Sequence, residues 1–359
     1  MGDDARGEPA DLDETWMTEA LEAAGVARGA KVTEVVVEGF IGTGQTGRNA
    51  RLRLTWDQAD GRPASLVGKF PSADVNAKTA AFQNGTYRNE WAFYTNLAHT
   101  LSIRSPVCHV ARYDDTIPAF VLLMEDLAGS QQGDQFIGLT PDQAALAIEQ
   151  AVGLHAPRWG DSTLVDFAPE RPKGDESAML LGMMFQMMVE PFLDRLGEGL
   201  DDDVVDLVRR LSPKAAQWAN GTDTPRTVAH LDFRPDNFMF GVAPDAPPLV
   251  VVDWQTVNNG FAMWDLAYMI GGSFEPATRA VVEKELLADY LQRMGVAGVP
   301  YDADTCWRDY RNGALWGVVM SVIATILAAE TDRGNDMLTL MAARAGRHAL
   351  DLDSMALLD

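Results

Sequence analysis

"AHLDFRPDNFMF", residues 229–240, and "PLVVVDWQTV", residues 248–257, decide how this chain is read. The second is an apolar, β-forming run that ends in one acid, Asp253. A strand so apolar is expected to be buried on both faces, and a charge at its end is costly unless something pairs with it. The first carries His230, Asp232 and Asn237, and the turn-rich "GVAPDAP" joins the two. Together they predict a strand, a polar loop and a hairpin whose return strand ends at Asp253. Phosphoryl transfer needs such parts: one Asp to accept the proton of an attacking hydroxyl, and an Asn with a second Asp to hold magnesium on the phosphates. Asp232 suits the first task, Asn237 and Asp253 the second. Hard oxygen donors suit Mg2+, which reserves coordination positions for substrate phosphate. His230 is expected to hydrogen-bond the backbone behind this loop. A zinc site there has no support, because His99, His109, His155 and His348 show no ligand spacing around it.

The nucleotide-binding parts should lie upstream. "GTGQTG", comprising Gly42, Thr43, Gly44, Gln45, Thr46 and Gly47, is weak evidence alone. A dinucleotide-binding turn would open a helix at this point. Here Leu52, Leu54 and Trp56 instead alternate with Arg51, Arg53 and Thr55, as in a strand. Glycines between two strands favour a hairpin over nucleotide phosphates, and disfavour a dehydrogenase. Lys69 ends "SLVGKF", where it would contact the α- and β-phosphates of ATP, and Glu90 in the helical "YRNEWAFY" would orient it. The extended "AFVLLMEDL" follows. Its backbone from Glu125 to Leu127 would meet the adenine edge, with Met124 guarding the pocket behind.

The order glycine loop, Lys69, Glu90, "LLMEDL", "HLDFRPDN", "VVDWQ" and "WDLAY" resembles the aminoglycoside phosphotransferase and choline kinase family, over roughly residues 30 to 330. "MEDL", "LHA", "NFMF" and "DLAY" are most similar to its ecdysteroid-kinase-like branch. The resemblance implies an α+β, protein-kinase-like fold of two lobes: a small antiparallel sheet with one main helix, and a larger, mostly helical lobe. It implies that Asp265 of "DLA" braces the catalytic loop. Leu231 stands where the family commonly has glycine. Arg234, two residues after Asp232, occupies the place of a protein-kinase lysine and is expected to neutralise charge on the transferring phosphoryl group. Asp253-Trp254-Gln255 runs into "DLAY" without a long activation segment, so the acceptor is expected to be a small-molecule alcohol (an aminoglycoside, a choline-like compound or an apolar, sterol-like alcohol) rather than a protein. The alternative is a nucleotide-binding pseudokinase that acts as sensor or scaffold.

Composition narrows the rest. The chain has 359 residues, 47% of them hydrophobic, enough for a substantial core. A net charge of −23 leaves no basic surface for a nucleic acid. Two cysteines, Cys108 and Cys306, cannot build a disulfide framework, which fits a reducing cytoplasm. "ALWGVVMSVIATILAA", from Ala314 to Ala329, falls short of the ~20 residues that span a bilayer and predicts a core helix. "GDSTL" at Gly160 lacks the strand-to-nucleophile turn of a serine hydrolase. The Met-rich stretch at residues 179–188 is expected to fill the core, with Met183, Met184 and Met187 as candidates to line an acceptor pocket. No obligate protein partner is evident. The division expected is a frayed lead-in (1–29), a nucleotide-binding lobe (30–127) and a lobe with the catalytic loop and acceptor site (128–359), joined at "AGSQQGDQFIG".

Overall fold

Strict alternation builds the first sheet. Along β2 (Gly47–Trp56), Leu52, Leu54 and Trp56 are buried while Arg53 and Thr55 face solvent. The structure, a computed structural model, describes residues 7–42, 46–166, 175–325 and 331–359. β2 pairs with β1 (Val32–Ile41) and β3 (Ser65–Pro71); β5 (Phe120–Glu125) and β4 (Cys108–Tyr113) complete an antiparallel sheet of order β1-β2-β3-β5-β4. In this register Lys69 on β3 lies between Asn49 of β2 and Leu122 of β5.

The lead-in expected to fray contains α1 (Glu14–Ala23). Asp13 caps it by accepting from the Trp16 amide at 2.7 Å. Trp16, Met17, Ala20 and Leu21 pack under the sheet with Leu52, Leu54 and Leu66. Burial of four apolar side chains on one face outweighs the acidity of the segment before it. α2 (Val75–Gln83) and α3 (Thr86–Ala92) cross the other face, and α3 continues into a π-helical turn over Phe93–Leu97.

The second lobe is mostly helical, as the α+β reading requires. Its small strands are β6 (Ser130–Gln132), β7 (Thr227–Ala229), β8 (Phe238–Gly241), β9 (Leu249–Val251) and β10 (Asn258–Gly260). β6 lies within the expected connection and pairs with β8, which pairs with β9; β7 pairs with β10. The helices are α4 (Pro141–His155), α5 (Asp175–Leu196), α6 (Asp202–Leu211), α7 (Ala215–Ala219), α8 (Ala262–Ser273), α9 (Pro276–Val296), α10 (Ala303–Ala324) and α11 (Asp332–Asp351). α8 is buried all round, the mark of a central helix. Trp264 on α8 packs with Trp218 and Trp316 in a cluster of three near-parallel rings, at 4.9 and 4.7 Å from them, with those two 6.2 Å apart. The greasy run from Ala314 enters α10 and is largely buried up to Thr325; its last positions, 326–329, lie outside the described residues. No helix among the described residues is long and apolar enough to cross a membrane.

The Met-rich stretch departs from its expected core role. α5 packs inward through Phe185, Val189 and Phe192, and Gly182 admits Ala216 at close range. Met179, Met183, Met184 and Met187 fall on the opposite face and are 43–70% exposed. The run is apolar on every side, so composition alone does not reveal which face is buried.

Candidate active site

The loop between β7 and β8 carries His230, Asp232, Arg234 and Asn237. It turns through Leu231, whose φ of +66° is a left-handed conformation that costs a side chain about 1–2 kcal/mol. Four hydrogen bonds hold the bend. The amides of His230 and Leu231 donate to the two carboxylate oxygens of Asp265, each at 2.7 Å. Trp316 Nε1 donates to the Leu231 carbonyl at 3.1 Å, and Thr256 Oγ1 to the His230 carbonyl at 2.7 Å. Asp265 is fully buried on α8 and also meets His155 Nε2 at 3.2 Å; His155 Nδ1 meets the Tyr290 hydroxyl at 3.0 Å. One neutral tautomer satisfies every group: Nε2–H donates to Asp265 and Nδ1 accepts from Tyr290. The His230 ring likewise accepts from the Asp232 amide at Nδ1 (3.3 Å) and bonds the Val252 carbonyl through Nε2 (3.1 Å). It serves the backbone and does not face an acceptor.

These contacts present Asp232. Its Oδ1 accepts from Arg234 Nε at 2.9 Å and its Oδ2 from Asn237 Nδ2 at 2.8 Å. Arg234 also reaches Asp236 at 2.7 Å. Burial works against the Arg234 charge, but Asp232 and Asp236 more than compensate and hold its pKa above the usual range. The Tyr268 side chain lies one helical turn beyond Asp265; burial and the nearby Asp232 charge push its pKa up, so its hydroxyl stays protonated.

Asp253 follows β9 by two residues and has a φ of +67°. The Val252 amide donates to the Asn237 carbonyl at 3.0 Å, which fixes Asp253 beside the loop. Lys69 Nζ from the first lobe lies 3.0 Å from Asp253 Oδ1 and 2.7 Å from Glu90 Oε2. Burial opposes the Lys69 charge, yet Asp253 and Glu90 outweigh it and its pKa is raised. For Asp253, burial favours the neutral acid, and Lys69 overrides it and lowers the pKa. The pair is charged. Trp254 stacks on Phe93 at 3.8 Å, nearly parallel, and so docks this segment on the helix that carries Glu90.

The other expected positions that the structure describes lie on β5, just beyond it, and at the facing ends of β1 and β2. Met124 is buried on β5 opposite Val67. The Glu125 carboxylate is held by Arg104 at 2.7 Å, and its amide donates to the Val107 carbonyl at 2.8 Å; Leu127 is half-buried beyond the strand. Gly42, with φ +74°, Thr46 and Gly47 flank the hairpin turn; Thr43, Gly44 and Gln45 lie outside the described residues. A Cβ on Gly47 would come within 3.4 Å of Lys69 Cε and 3.1 Å of the Phe70 carbonyl, so the strand closes tightly over the lysine.

Sequence reasoning missed Tyr268, His155 and Trp316. Tyr268 and His155 sit in the quoted "DLAY" and "LHA", and the i, i+3 spacing of Asp265 and Tyr268 was a readable sign that both face the loop. Trp316, inside an apolar helix, carried no such sign.

The chain matches the model of the phosphotransferase enzyme family over residues 48–299. No curated protein gives a significant match. Among solved structures, it is similar to a putative aminoglycoside phosphotransferase from Ralstonia eutropha JMP134 (18% identity, 93% of this chain and 98% of the other, TM-score 0.52). It is also similar to Plasmodium vivax ethanolamine kinase (11% identity, 86% and 81%, TM-score 0.53) and to aminoglycoside 2'-phosphotransferase-IIIa, solved with GDP (15% identity, 93% and 99%, TM-score 0.53). At such identities the structures testify to a shared kinase-like fold, while the family model spans well over half of the sequence. The chain belongs to the phosphotransferase enzyme family.

Proposed function

We propose that this protein transfers the γ-phosphoryl group of ATP to a hydroxyl of a small molecule, with Mg2+ as cofactor. The observation that carries this reading is the convergence of Asp232, Asn237, Asp253 and Lys69, drawn from both lobes, into one hydrogen-bonded cleft.

The donors fit magnesium. Among the described residues no three His, Cys, Asp or Glu side chains gather into a closed metal cage. Mg2+ is instead commonly held by one or two protein oxygens plus phosphate and water. Asp253 is 40% exposed and uses Oδ1 on Lys69; Asn237 uses its amide nitrogen on Asp232, which leaves the amide oxygen to offer. Asp253 and Asn237 would hold Mg2+, whose positive charge would offset that of nucleotide phosphate.

The chain's own groups do the rest. Lys69, fixed by Glu90, binds phosphate oxygens beneath the glycine hairpin. Asp232 orients the acceptor hydroxyl and takes its proton as the new oxygen–phosphorus bond forms and the bond to the β-phosphate oxygen breaks, releasing ADP. Arg234 keeps positive charge beside the transferring group. Positioning and charge neutralisation supply most of the rate. Asp265, His155 and Trp316 hold the loop that aims Asp232. The complete set of groups argues against the scaffold alternative.

ADP release from ATP and Mg2+ tests this reading, measured against a panel of an aminoglycoside, choline, ethanolamine and a sterol-like alcohol. Release that depends on one acceptor and stops in Asp232→Asn supports it. Nucleotide binding with no release across a broad alcohol panel would favour the scaffold.

A further inference from the structure

A cavity lies beside the catalytic loop, between α8, α10 and α11. Arg234, which bonds Asp232, lines it with Tyr268, Gln135 and His348; glycines and alanines of the three helices, with Met341, make up the rest. Counted to its open mouth it measures about 290 Å3, but its interior is narrow, with room for about one water. Two glycines of α8 shape it. A Cβ on Gly271 would stand 2.3 Å from His348 Nδ1, and one on Gly272 3.2 Å from Gln135 Nε2. The bare flank of the helix therefore admits two polar side chains, Gln135 at 2% exposure and His348 at 1%. Each keeps an acceptor free. The Gln135 amide nitrogen donates to the Gly272 carbonyl at 2.9 Å, and its oxygen has no partner among the described residues. Turned the other way, that oxygen would face the carbonyl, so the orientation is fixed. His348 Nε2 faces the Glu283 carboxylate at 3.7 Å, which favours the proton there and leaves the lone pair on Nδ1, on the Gly271 side. Burial and the Arg279 charge hold the ring's pKa well below the usual range, so it is neutral.

We propose that this cavity is the subsite for a slender, uncharged arm of the acceptor that ends in a hydroxyl, and that Gln135 and His348 select it. The inference rests on the phosphotransferase reading above. Two unpartnered acceptors on the wall call for a donor, and a hydroxyl supplies one without a charge. Among the described residues that line the cavity, Arg234 carries the only charge and none is a carboxylate. An ammonium buried there would be uncompensated and would face a cation. The acceptor class is therefore a neutral alcohol with two hydroxyls, one presented to Asp232 and the other held in the cavity, in place of a cationic aminoglycoside or choline. The backbone ties the two positions together: the Gln135 amide donates to Asp236 Oδ1 at 2.8 Å, while Asp236 Oδ2 holds Arg234 at 2.7 Å.

The test is ADP release from ATP and Mg2+ with matched acceptors: linear diols of increasing length, the mono-alcohols that carry a methyl in place of the second hydroxyl, and the corresponding amino alcohols. The preferred diol should have a KM about 3- to 10-fold below that of its mono-alcohol, the range of one net hydrogen bond, and its amino alcohol should be the poorest of the three. Gln135→Leu should erase the preference for the diol, with the loss in KM rather than in kcat. Ala314→Val, which narrows the cavity without touching a polar group, should erase it too, and thermal unfolding checks that both variants keep their fold. A KM that rises equally for diol and mono-alcohol marks a merely structural effect and overturns the subsite. Turnover confined to amino alcohols, aminoglycosides or alcohols with a single hydroxyl also overturns it, and leaves the phosphotransferase reading standing. No ADP release with any alcohol, here or in the panel above, overturns that reading and the subsite with it.

Discussion

Asp265→Asn asks whether the strained catalytic loop is held by a carboxylate or by packing alone. The substitution keeps shape and volume, so it opens no cavity. The carboxylate accepts three N–H groups, from His230, Leu231 and His155. An amide offers one oxygen and one NH2. With its oxygen on the Leu231 amide, the NH2 faces His155 and the His230 amide. His155 can change tautomer and accept, but the His230 N–H cannot, and it is left buried against a donor. Such an unmade bond costs about 1–3 kcal/mol. Asp265→Ala strips all three donors and leaves a void, for roughly 3–5 kcal/mol, while His155→Phe removes one donor and should fall at the low end. Guanidinium unfolding of the three variants reads the series, and steady-state turnover reads its consequence. Because Leu231 and Asp232 are consecutive, kcat should fall with stability. Asp265→Asn within about 0.5 kcal/mol of the wild type, with kcat unchanged, would refute the bracing argument.

Three further outcomes follow from the same geometry. Arg234→Ala should lower kcat about 100-fold with little effect on ATP binding; unchanged turnover in steady-state assays would remove its role. At position 231 a left-handed residue is required, so Leu231→Ala keeps the strain and loses the packing, whereas Leu231→Gly loses packing but relieves the strain; chemical denaturation should find Gly more stable than Ala by about 1 kcal/mol. Lys69 has a folded pKa raised above 10.5, its ordinary value, because Asp253 and Glu90 outweigh the burial that opposes its charge. Its contribution to stability is therefore fully present below that ordinary value and lost as pH rises through the folded one. The stability gap between the wild type and Lys69→Met should stay level at neutral and mildly alkaline pH and close above it, as read by unfolding across a pH series.

Much of the site was legible because its chemistry is local in sequence. Asp232, Arg234 and Asn237 share one loop, and an apolar run that stops at an acid marks Asp253. Strand alternation after the glycines marked a hairpin, and Lys69 stood out at the end of the next β-forming run. What escaped depended on contacts distant in sequence. The left-handed turn at Leu231 is stabilised by Asp265, whose bracing role only the family resemblance implied, and by Trp316, a partner that no feature of "HLD" discloses. β4 was missed because "CHVARY" mixes polar and apolar residues at an edge where only Val110 is fully buried. α1 was missed for the opposite reason: an acidic lead-in masked the face of Trp16, Met17, Ala20 and Leu21, whose spacing was helical all along. The methionines of α5 show a limit of composition, since a helix apolar on all sides does not say which side meets the core.

The central claim is that Asp253, set 3.0 Å from Lys69 and beside Asn237, couples ATP to magnesium. Calorimetric titration of ATP into the wild type and Asp253→Ala, each with and without Mg2+, tests it most directly. The account predicts tight binding by the wild type only when Mg2+ is present, and loss of that magnesium dependence in Asp253→Ala while the protein stays folded. Binding that ignores Mg2+, or a magnesium effect that survives the substitution, would contradict it.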